Sequence, residues 1–267
     1  MAPQVIFTCF AGRERYLKAL VPYIERLNVD EVHMWDYTRN EKDAEYLRKA
    51  CAKFQIFTVA DKSNYGEYYK YYTKERFPDP LTVIVKCDDD IVFIDTSAFD
   101  EFIKARRLVT DAILASPAVL NNPMIGVIQN CRDLLPGFTP SDLTMDASCA
   151  NKIHKYFLKN PRRFITDSRK VERLNYIPPN GQFRFNINFI AVLAKDLDIL
   201  FQNEYVAIDD ERFLGVAAPM FYERNILVDL HFVVSHMAFT SQREQGYDEA
   251  RHLEKYTSLA LEKKHGS

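Results

Sequence analysis

Val83-Ile84-Val85-Lys86-Cys87-Asp88-Asp89-Asp90-Ile91-Val92-Phe93-Ile94-Asp95 is the stretch on which the reading of this 267-residue chain turns. Leu81 to Cys87 reads as an apolar strand, and it runs straight into three carboxylates. That is the end of a strand where open α/β sheets bind their ligands. Adjacent anions repel one another and are costly to desolvate. A divalent cation would neutralise them, and carboxylate oxygens suit hard ions such as Mg2+ or Mn2+. In extended chain Asp88 and Asp90 point one way and Asp89 the other, so one face gains a paired-carboxylate clamp. The competing reading is a solvated acidic turn. The apolar strand before the triplet and the run Ile91 to Ile94 behind it weigh against that.

Upstream of this stretch, strands alternate with helices. Val5 to Phe10 is a short run of β-formers. Tyr16, Leu20, Tyr23, Ile24 and Leu27 then recur at helical spacing between Arg13 and Leu27. Glu31 to Tyr37 is a second strand. Asn40 is an N-cap for a helix from Glu41 to about Lys53, with Glu41 and Asp43 in its first turn. Phe54 to Ala60 is a third strand, and a Tyr-rich helix from Tyr65 to Arg76 is closed by Pro78 and Pro80. Downstream, Asp95-Thr96 starts a helix to about Arg107, and Met124 to Gln129 reads as a fifth strand. Such alternation means βαβ units and a mostly parallel sheet flanked by helices.

The remainder is less regular. Residues 130–179 are polar and basic and contain Pro136, Pro140, Pro161, Pro178 and Pro179, with one helix near Ala150 to Leu158. Phe183 to Leu193 reads as a strand, Lys195 to Gln202 as a helix, Asp209 to Val216 as the start of another, and Leu227 to Ser235 as a late strand. With no repeat and no low-complexity linker, residues 1–255 are expected to form one domain, 1–130 being a nucleotide-binding half and 131–255 an acceptor-side half. Residues 256–267 are then a tail.

Composition excludes several classes. Lys and Arg total 35 against 37 Asp and Glu, a net charge of −2, which gives no basic excess for sequence-independent nucleic-acid binding or for anionic membranes. No apolar run reaches the ~18–20 residues of a membrane span. Met1-Ala2-Pro3-Gln4 offers no basic start to a secretory signal. Five cysteines, none at CxxC spacing, argue against a disulfide framework or a cysteine zinc site and point to a reducing cytoplasm. No GxGxxG or GxxxxGK[ST] occurs, so a dinucleotide fingerprint and a P-loop are both absent.

A βαβ N-terminal half that ends in an apolar strand and an aspartate triplet resembles the GT-A-fold, DXD-containing nucleotide-sugar glycosyltransferases. In layout the resemblance runs from Val5 to about His236, and within the group it is nearest the compact soluble enzymes encoded by large algal DNA viruses. The motif is short; the order of elements around it supplies the weight. The resemblance implies that Asp88 touches the ribose or a metal-bound water and that Asp90 ligates the Mn2+ or Mg2+ bridging two phosphates. It implies a nucleotide-binding set of Thr8, Phe10, Arg13, Asp36, Asp88 and Asp89: Phe10 as a wall, Arg13 toward the diphosphate, Thr8 and Asp36 as hydrogen-bonding partners of base or ribose.

The resemblance extends to Ala207-Ile208-Asp209-Asp210-Glu211-Arg212-Phe213-Leu214, which looks like the acidic motif of inverting members. Asp210 would be the general base on the acceptor hydroxyl. Asp209 stands where Glu is commoner, so Asp209 and Glu211 remain eligible, and all three also suit a helix start. In Asp229-Leu230-His231-Phe232-Val233-Val234-Ser235-His236, the terminal His236 has the address of a further metal ligand, and His231 that of a buried, hydrogen-bonded residue. Asn186 and Asn188 sit at spacing two on a strand, where asparagine is unfavourable. They bind donor-sugar hydroxyls or satisfy backbone. The basic run Lys152 to Arg173 is an acceptor side or a solvated face.

The implied function is metal-dependent transfer of a sugar from a UDP-sugar to a glycan hydroxyl, with inversion. Two rivals stand beside it. A haloacid-dehalogenase-like phosphoryl-transfer enzyme also uses Asp-x-Asp, but nearer its N-terminus and followed by Thr or Val. A glycan-binding module without catalysis would not need both acidic triplets.

Overall fold

The computed structural model describes residues 2–135, 146–179, 181 and 184–262. Pro136, Pro140, Phe183 and the end of the tail from 263 onward lie outside the described residues. Four strands, β1 (Val5–Ala11), β2 (Glu31–Asp36), β3 (Gln55–Thr58) and β4 (Val83–Asp88), pair in parallel as β3-β2-β1-β4. They are linked by α1 (Glu14–Ile24), α2 (Glu41–Ala50) and α3 (Gly66–Tyr71). The amphipathic spacing of α1 buries Tyr16, Leu20, Tyr23 and Ile24. The α2 cap is as the sequence predicts: Asn40 accepts from the Asp43 N–H at 2.9 Å, a bond of the kind that stabilises a helix by about 1 kcal/mol.

The sheet continues through β5 (Ile91–Ile94), β6 (Leu114–Leu120), β7 (Leu174–Ile177), β8 (Phe189–Leu193) and β9 (Ile226–His236) in the order β3-β2-β1-β4-β8-β6-β9-β5, with β7 also on β9. Six strands, β1 to β4, β6 and β9, run one way, while β5, β7 and β8 run antiparallel to their neighbours. The result is an open, mostly parallel α/β sheet flanked by helices. Packed around it are α4 (Phe99–Leu108), α5 (Pro123–Cys131), α6 (Ala147–Lys159), α7 (Pro161–Ser168) and a C-terminal helix, Glu249–Glu262. Arg106 of α4 is wholly buried and donates to the carbonyls of Val109, Ala112 and Ala191, so one guanidinium ties α4 to β8.

The second half corrects the sequence reading in places. Met124 to Gln129, expected as a strand, is α5. Asn122 caps it by accepting from the Ile125 N–H at 3.1 Å, and Pro123 takes the first turn, where no amide hydrogen is needed. The strand lies just before it, as β6. Pro117 disguises it, since proline cannot donate to a ladder. It falls where β6 and β9 change register, so that Pro117 pairs with Asp229 and Ala118 with Val233. The expected strand Phe183 to Leu193 is paired only from Phe189, and α3 stops at Tyr71. β7 and α7 lie in the segment read as irregular.

None of Cys9, Cys51, Cys87 and Cys131 is bridged; the first three are buried and Cys131 is exposed. Among the described residues no helix is long and apolar enough to cross a membrane.

Candidate active site

At the C-terminal ends of β1, β2 and β4, joined by the end of β9, a cleft of about 540 Å³ opens. Phe10, Gly12 and Arg13 come from β1 and the turn after it, Tyr37 from the end of β2, Asp88 to Asp90 from β4 and its turn, and His236 from β9. The triplet does not follow strand alternation, because Asp89 and Asp90 form the turn between β4 and β5. Both therefore reach Arg13, which holds Asp89 through Nε at 3.1 Å and through Nη2, and donates to Asp90 Oδ2 at 2.9 Å. The Gly12 N–H also donates to Asp89, at 3.0 Å. A Cβ on Gly12 would lie 3.2 Å from both that carboxylate and the Tyr37 carbonyl, so the turn is built for a residue without one.

Asp88 has a different set of partners. Lys86, only 2% exposed, donates to Asp88 Oδ1 at 2.8 Å and to the Ile187 carbonyl at 3.2 Å, and its ammonium lies 4.6 Å from the centre of the Phe10 ring. Asn188 donates to Asp88 Oδ2 at 3.2 Å. Burial pushes the Asp88 carboxyl up against the opposing pull of Lys86. Lys86 is held above the ordinary lysine range: burial acts to lower it, but Asp88 and Asp210 outweigh that.

Asp90 is the best candidate for a metal. Burial acts to raise its carboxyl, but the His236 ring and Arg13 outweigh burial and hold it well below the usual range. Its Oδ1 is buried without a hydrogen-bond partner and lies 3.5 Å from His236 Nε2. The His236 Nδ1 is likewise buried and unpartnered. The pair is held in place through Met237, whose N–H donates to the Asp90 carbonyl at 2.9 Å and whose carbonyl accepts from Asn121 at 3.0 Å. Among the described residues no group of three or more His, Cys, Asp or Glu side chains is arranged to hold a metal alone. One orphaned carboxylate oxygen beside an imidazole still fits an ion of the Mg2+ type, which takes one or two carboxylates and completes its shell with water and substrate phosphate. Asp88, expected as a second ligand, has both oxygens engaged, so the fit rests on Asp90 and His236.

The second acidic triplet is sorted by its local structure. Asp209 caps the next turn, accepting from the Arg212 N–H at 3.0 Å, and pairs with Arg184 at 3.1 Å. Glu211 accepts from Asn186 and pairs with Arg184 at 2.6 Å. Asp210 lines the cleft and accepts from the Tyr69 hydroxyl at 2.7 Å. Tyr69 is 1% exposed, and burial with the nearby Asp210 pushes its hydroxyl far up, so it stays a donor. A π turn, Phe213–Ala217, follows, and Gly215 in it abuts the backbone of Phe185. That contact sets the segment carrying Asn186 and Asn188 against the acidic turn.

Of the sequence-predicted residues, Phe10, Arg13, Asp88, Asp89, Asp90, Asn188, Asp210, Glu211 and His236 line the cleft. Thr8 does not: it is wholly buried and its hydroxyl bonds to Tyr68 and the Val85 carbonyl. Asp36 does not either: its carboxylate accepts from Thr38 and from Lys62 at 3.0 Å. Asn186 and Asp209 stand behind the cleft, on Glu211 and Arg184. His231 is half-buried and donates to the Val171 carbonyl at 2.9 Å. Sequence reading named Phe10 as a wall but missed Lys86, Tyr69 and the two tyrosines that extend that wall, Tyr65 stacked on Phe10 at 4.6 Å and Tyr37 edge-on to it at 5.4 Å. A lysine inside an otherwise apolar strand was the one signal available.

No protein-family model matches the sequence, and no curated protein matches it. Solved structures similar to the chain include CMP:2-keto-3-deoxy-manno-octonic acid synthetase complexed with CTP, at 10% identity and TM-score 0.49, covering 98% of this chain and 100% of that one. Glucosyl-3-phosphoglycerate synthase from Mycobacterium tuberculosis in complex with phosphoglyceric acid is another, at 12% identity and TM-score 0.46, covering 96% and 81%. At such identities and scores neither carries an argument about what this chain does.

Proposed function

We propose that the protein is a metal-dependent nucleotide-sugar glycosyltransferase, with a UDP-sugar as donor, a glycan hydroxyl as acceptor and inversion at the anomeric carbon. The observation that carries the reading is the orphaned Asp90 Oδ1 beside His236, at a strand-end cleft that also holds Asp210. A Mn2+ or Mg2+ ion held by Asp90 and His236 would supply positive charge to the diphosphate oxygens of the leaving group. The base would lie against the Phe10, Tyr37 and Tyr65 wall, as aromatic faces accept any nucleobase. Asp210, tethered by Tyr69, would take the proton of the acceptor hydroxyl as that oxygen attacks the anomeric carbon. Glu211, fixed by Arg184 and Asn186, would orient the acceptor.

The test is thermal shift with UDP-, GDP- and CMP-sugars, with and without Mn2+, since a ligand of the native state raises apparent stability. UDP-sugar stabilisation that appears only with Mn2+, and is lost in Asp90→Ala, supports the reading. Equal UDP affinity in EDTA and in Mn2+ by calorimetry rules out the metal, and hydrolysis of a simple phosphate ester without nucleotide binding favours the phosphoryl-transfer rival.

A further inference from the structure

His236 reaches Asp90 without the support that a metal-binding imidazole ordinarily has. Such a ring usually donates its second N–H to a carbonyl or carboxylate, which fixes its tautomer and its direction. The His236 Nδ1 is buried and has no partner among the described residues. Its ring packs on Phe239, with centroids 4.6 Å apart, and its backbone is fixed at the next residue, Met237. The direction of the ring therefore depends on what holds residues 237 to 239.

Two buried amides hold them. Asn121 follows β6, and Gln242 lies in a short helix, Thr240–Glu244; both are buried. Asn121 Nδ2 donates to the Met237 carbonyl at 3.0 Å and to Gln242 Oε1 at 2.9 Å, and Asn121 Oδ1 accepts from Gln242 Nε2 at 3.0 Å. Gln242 Oε1 also accepts from the Phe239 N–H at 3.0 Å. The pair thus grips both neighbours that orient His236, and the Met237 N–H carries the grip to the Asp90 carbonyl at 2.9 Å. The Asn121 backbone is an independent sign. Its φ of 58° is left-handed, a conformation that glycine adopts at less cost than any residue with a side chain. What asparagine adds there is its amide, and both of that amide's polar atoms are spent on the clamp. A fully bonded buried network of this kind specifies one arrangement, where an apolar filling would specify only a volume. We infer that Asn121 and Gln242 are positioning residues for the cation site, their amide pair holding His236 and Asp90 in the arrangement that takes a divalent ion. This deepens the metal-dependent reading and rests on it.

The experiment titrates Mn2+ into the wild-type chain, Asn121→Gly, Gln242→Met and the double variant, with and without UDP, and reads the free ion by electron paramagnetic resonance. Asn121→Gly keeps the left-handed backbone and removes the amide; Gln242→Met keeps the length and removes the other. Each tests the clamp if the other chain does not fold. Ile103→Val, a buried change on α4 outside the cleft lining, serves as the control that lowers stability without touching the clamp. Loss of a partner that orients a metal ligand lowers metal affinity by about 10- to 100-fold, and each single variant should show that loss. Because the amides act as one unit, the double variant should bind Mn2+ no more weakly than the weaker single one. The control should bind as the wild type does. Folded variants that bind Mn2+ within about threefold of the wild type overturn the positioning role and leave the function standing. An equal loss in Ile103→Val overturns it too, since the effect would then follow general stability. A wild type that takes up no Mn2+, alone or with UDP, overturns both the clamp and the metal-dependent reading.

Discussion

Replacing Gly215 by alanine tests whether the acidic turn and the asparagine segment are built as one unit. Gly215 lies in the π turn Phe213–Ala217, and a Cβ there would stand 2.1 Å from the Phe185 carbonyl oxygen, 3.0 Å from its carbon and 3.2 Å from its nitrogen. A carbon–oxygen contact of this kind normally needs about 3.3 Å, so something must open by about 1 Å. The obstacle is backbone, which cannot turn aside as a side chain can. Two effects compete. Alanine is the better helix former, by about 1 kcal/mol. Overpacking a filled interior costs about 1–3 kcal/mol, and a clash with backbone belongs at the upper end. The net expectation is a destabilisation of about 2 kcal/mol. It should appear in urea as a lower midpoint at unchanged slope, because the surface exposed on unfolding is the same. Movement of residues 184–188 should also weaken nucleotide-sugar binding more than nucleotide binding. A Gly215→Ala chain that unfolds within about 0.5 kcal/mol of the wild type, or is stabilised as helix propensity alone predicts, refutes the packing argument.

Three further outcomes are expected. Asp210→Asn keeps size and the Tyr69 contact but cannot take a proton, so donor KM should hardly change while kcat falls by about 10²–10⁴; turnover within about threefold of the wild type would remove Asp210 as the base. His154 is wholly buried, donates to the Met237 carbonyl at 2.8 Å and bonds to Tyr256 at 2.8 Å; burial, with His252, lowers it to about 3. Its folded value lies below the unfolded ~6.5, so the unfolded chain binds the proton first and stability is lost as pH falls through that window; from about pH 7.5 to about pH 5 unfolding should cost about 2 kcal/mol less, and a His154→Gln chain with the same slope would contradict this. Cys131, the exposed thiol, should react with a thiol reagent in the native protein, whereas Cys9, Cys51 and Cys87 should react only on unfolding; fast native labelling of any of those three would show that the sheet interior opens.

The parallel half was legible because its two periods are clean. Apolar runs at Val5, Glu31 and Val83 alternate with segments of helical spacing, and Asn40 marks a helix start that the structure uses. The second half was harder for identifiable reasons. Met124 to Gln129 is too short an apolar run for period alone to separate helix from strand. The Asn-Pro pair at 122–123 was the better signal, since it supplies a cap and a first-turn proline. β6 was hidden by Pro117, which a strand tolerates only where its pairing is interrupted. In the site, alternation put Asp89 opposite its neighbours, but a turn at Asp89-Asp90 brought all three aspartates to the cleft. Tyr69 had no sequence signal for its role, because its partner Asp210 is 141 positions away.

The two acidic triplets look alike in sequence, and their ion pairs separate them. Arg13 meets Asp89 and Asp90, Lys86 meets Asp88, and Arg184 meets Asp209 and Glu211. Asp210 alone of the six makes no direct ion pair among the described residues: it is held by a neutral hydroxyl, and Lys86 feels its charge without pairing with it. A proton arriving at Asp210 therefore breaks no ion pair, whereas at any of the other five it would weaken one. The same pairs bear on the metal. Arg13 and Lys86 are already matched to the carboxylates beside them, so they bring a diphosphate little uncompensated charge; Arg39 and Arg243 also line the cleft, the latter paired with Glu249. Two phosphates bound in a partly desolvated site without a counter-charge would be strongly disfavoured. Beside the aspartate triplet, a divalent cation held by Asp90 Oδ1 and His236 would add to the charge that Arg39 and Arg243 offer from the cleft wall. If Arg13 instead released Asp89 and Asp90 to bind the phosphates, those buried carboxylates would keep only the Gly12 N–H and His236 beside them, and the need for a cation would be greater still.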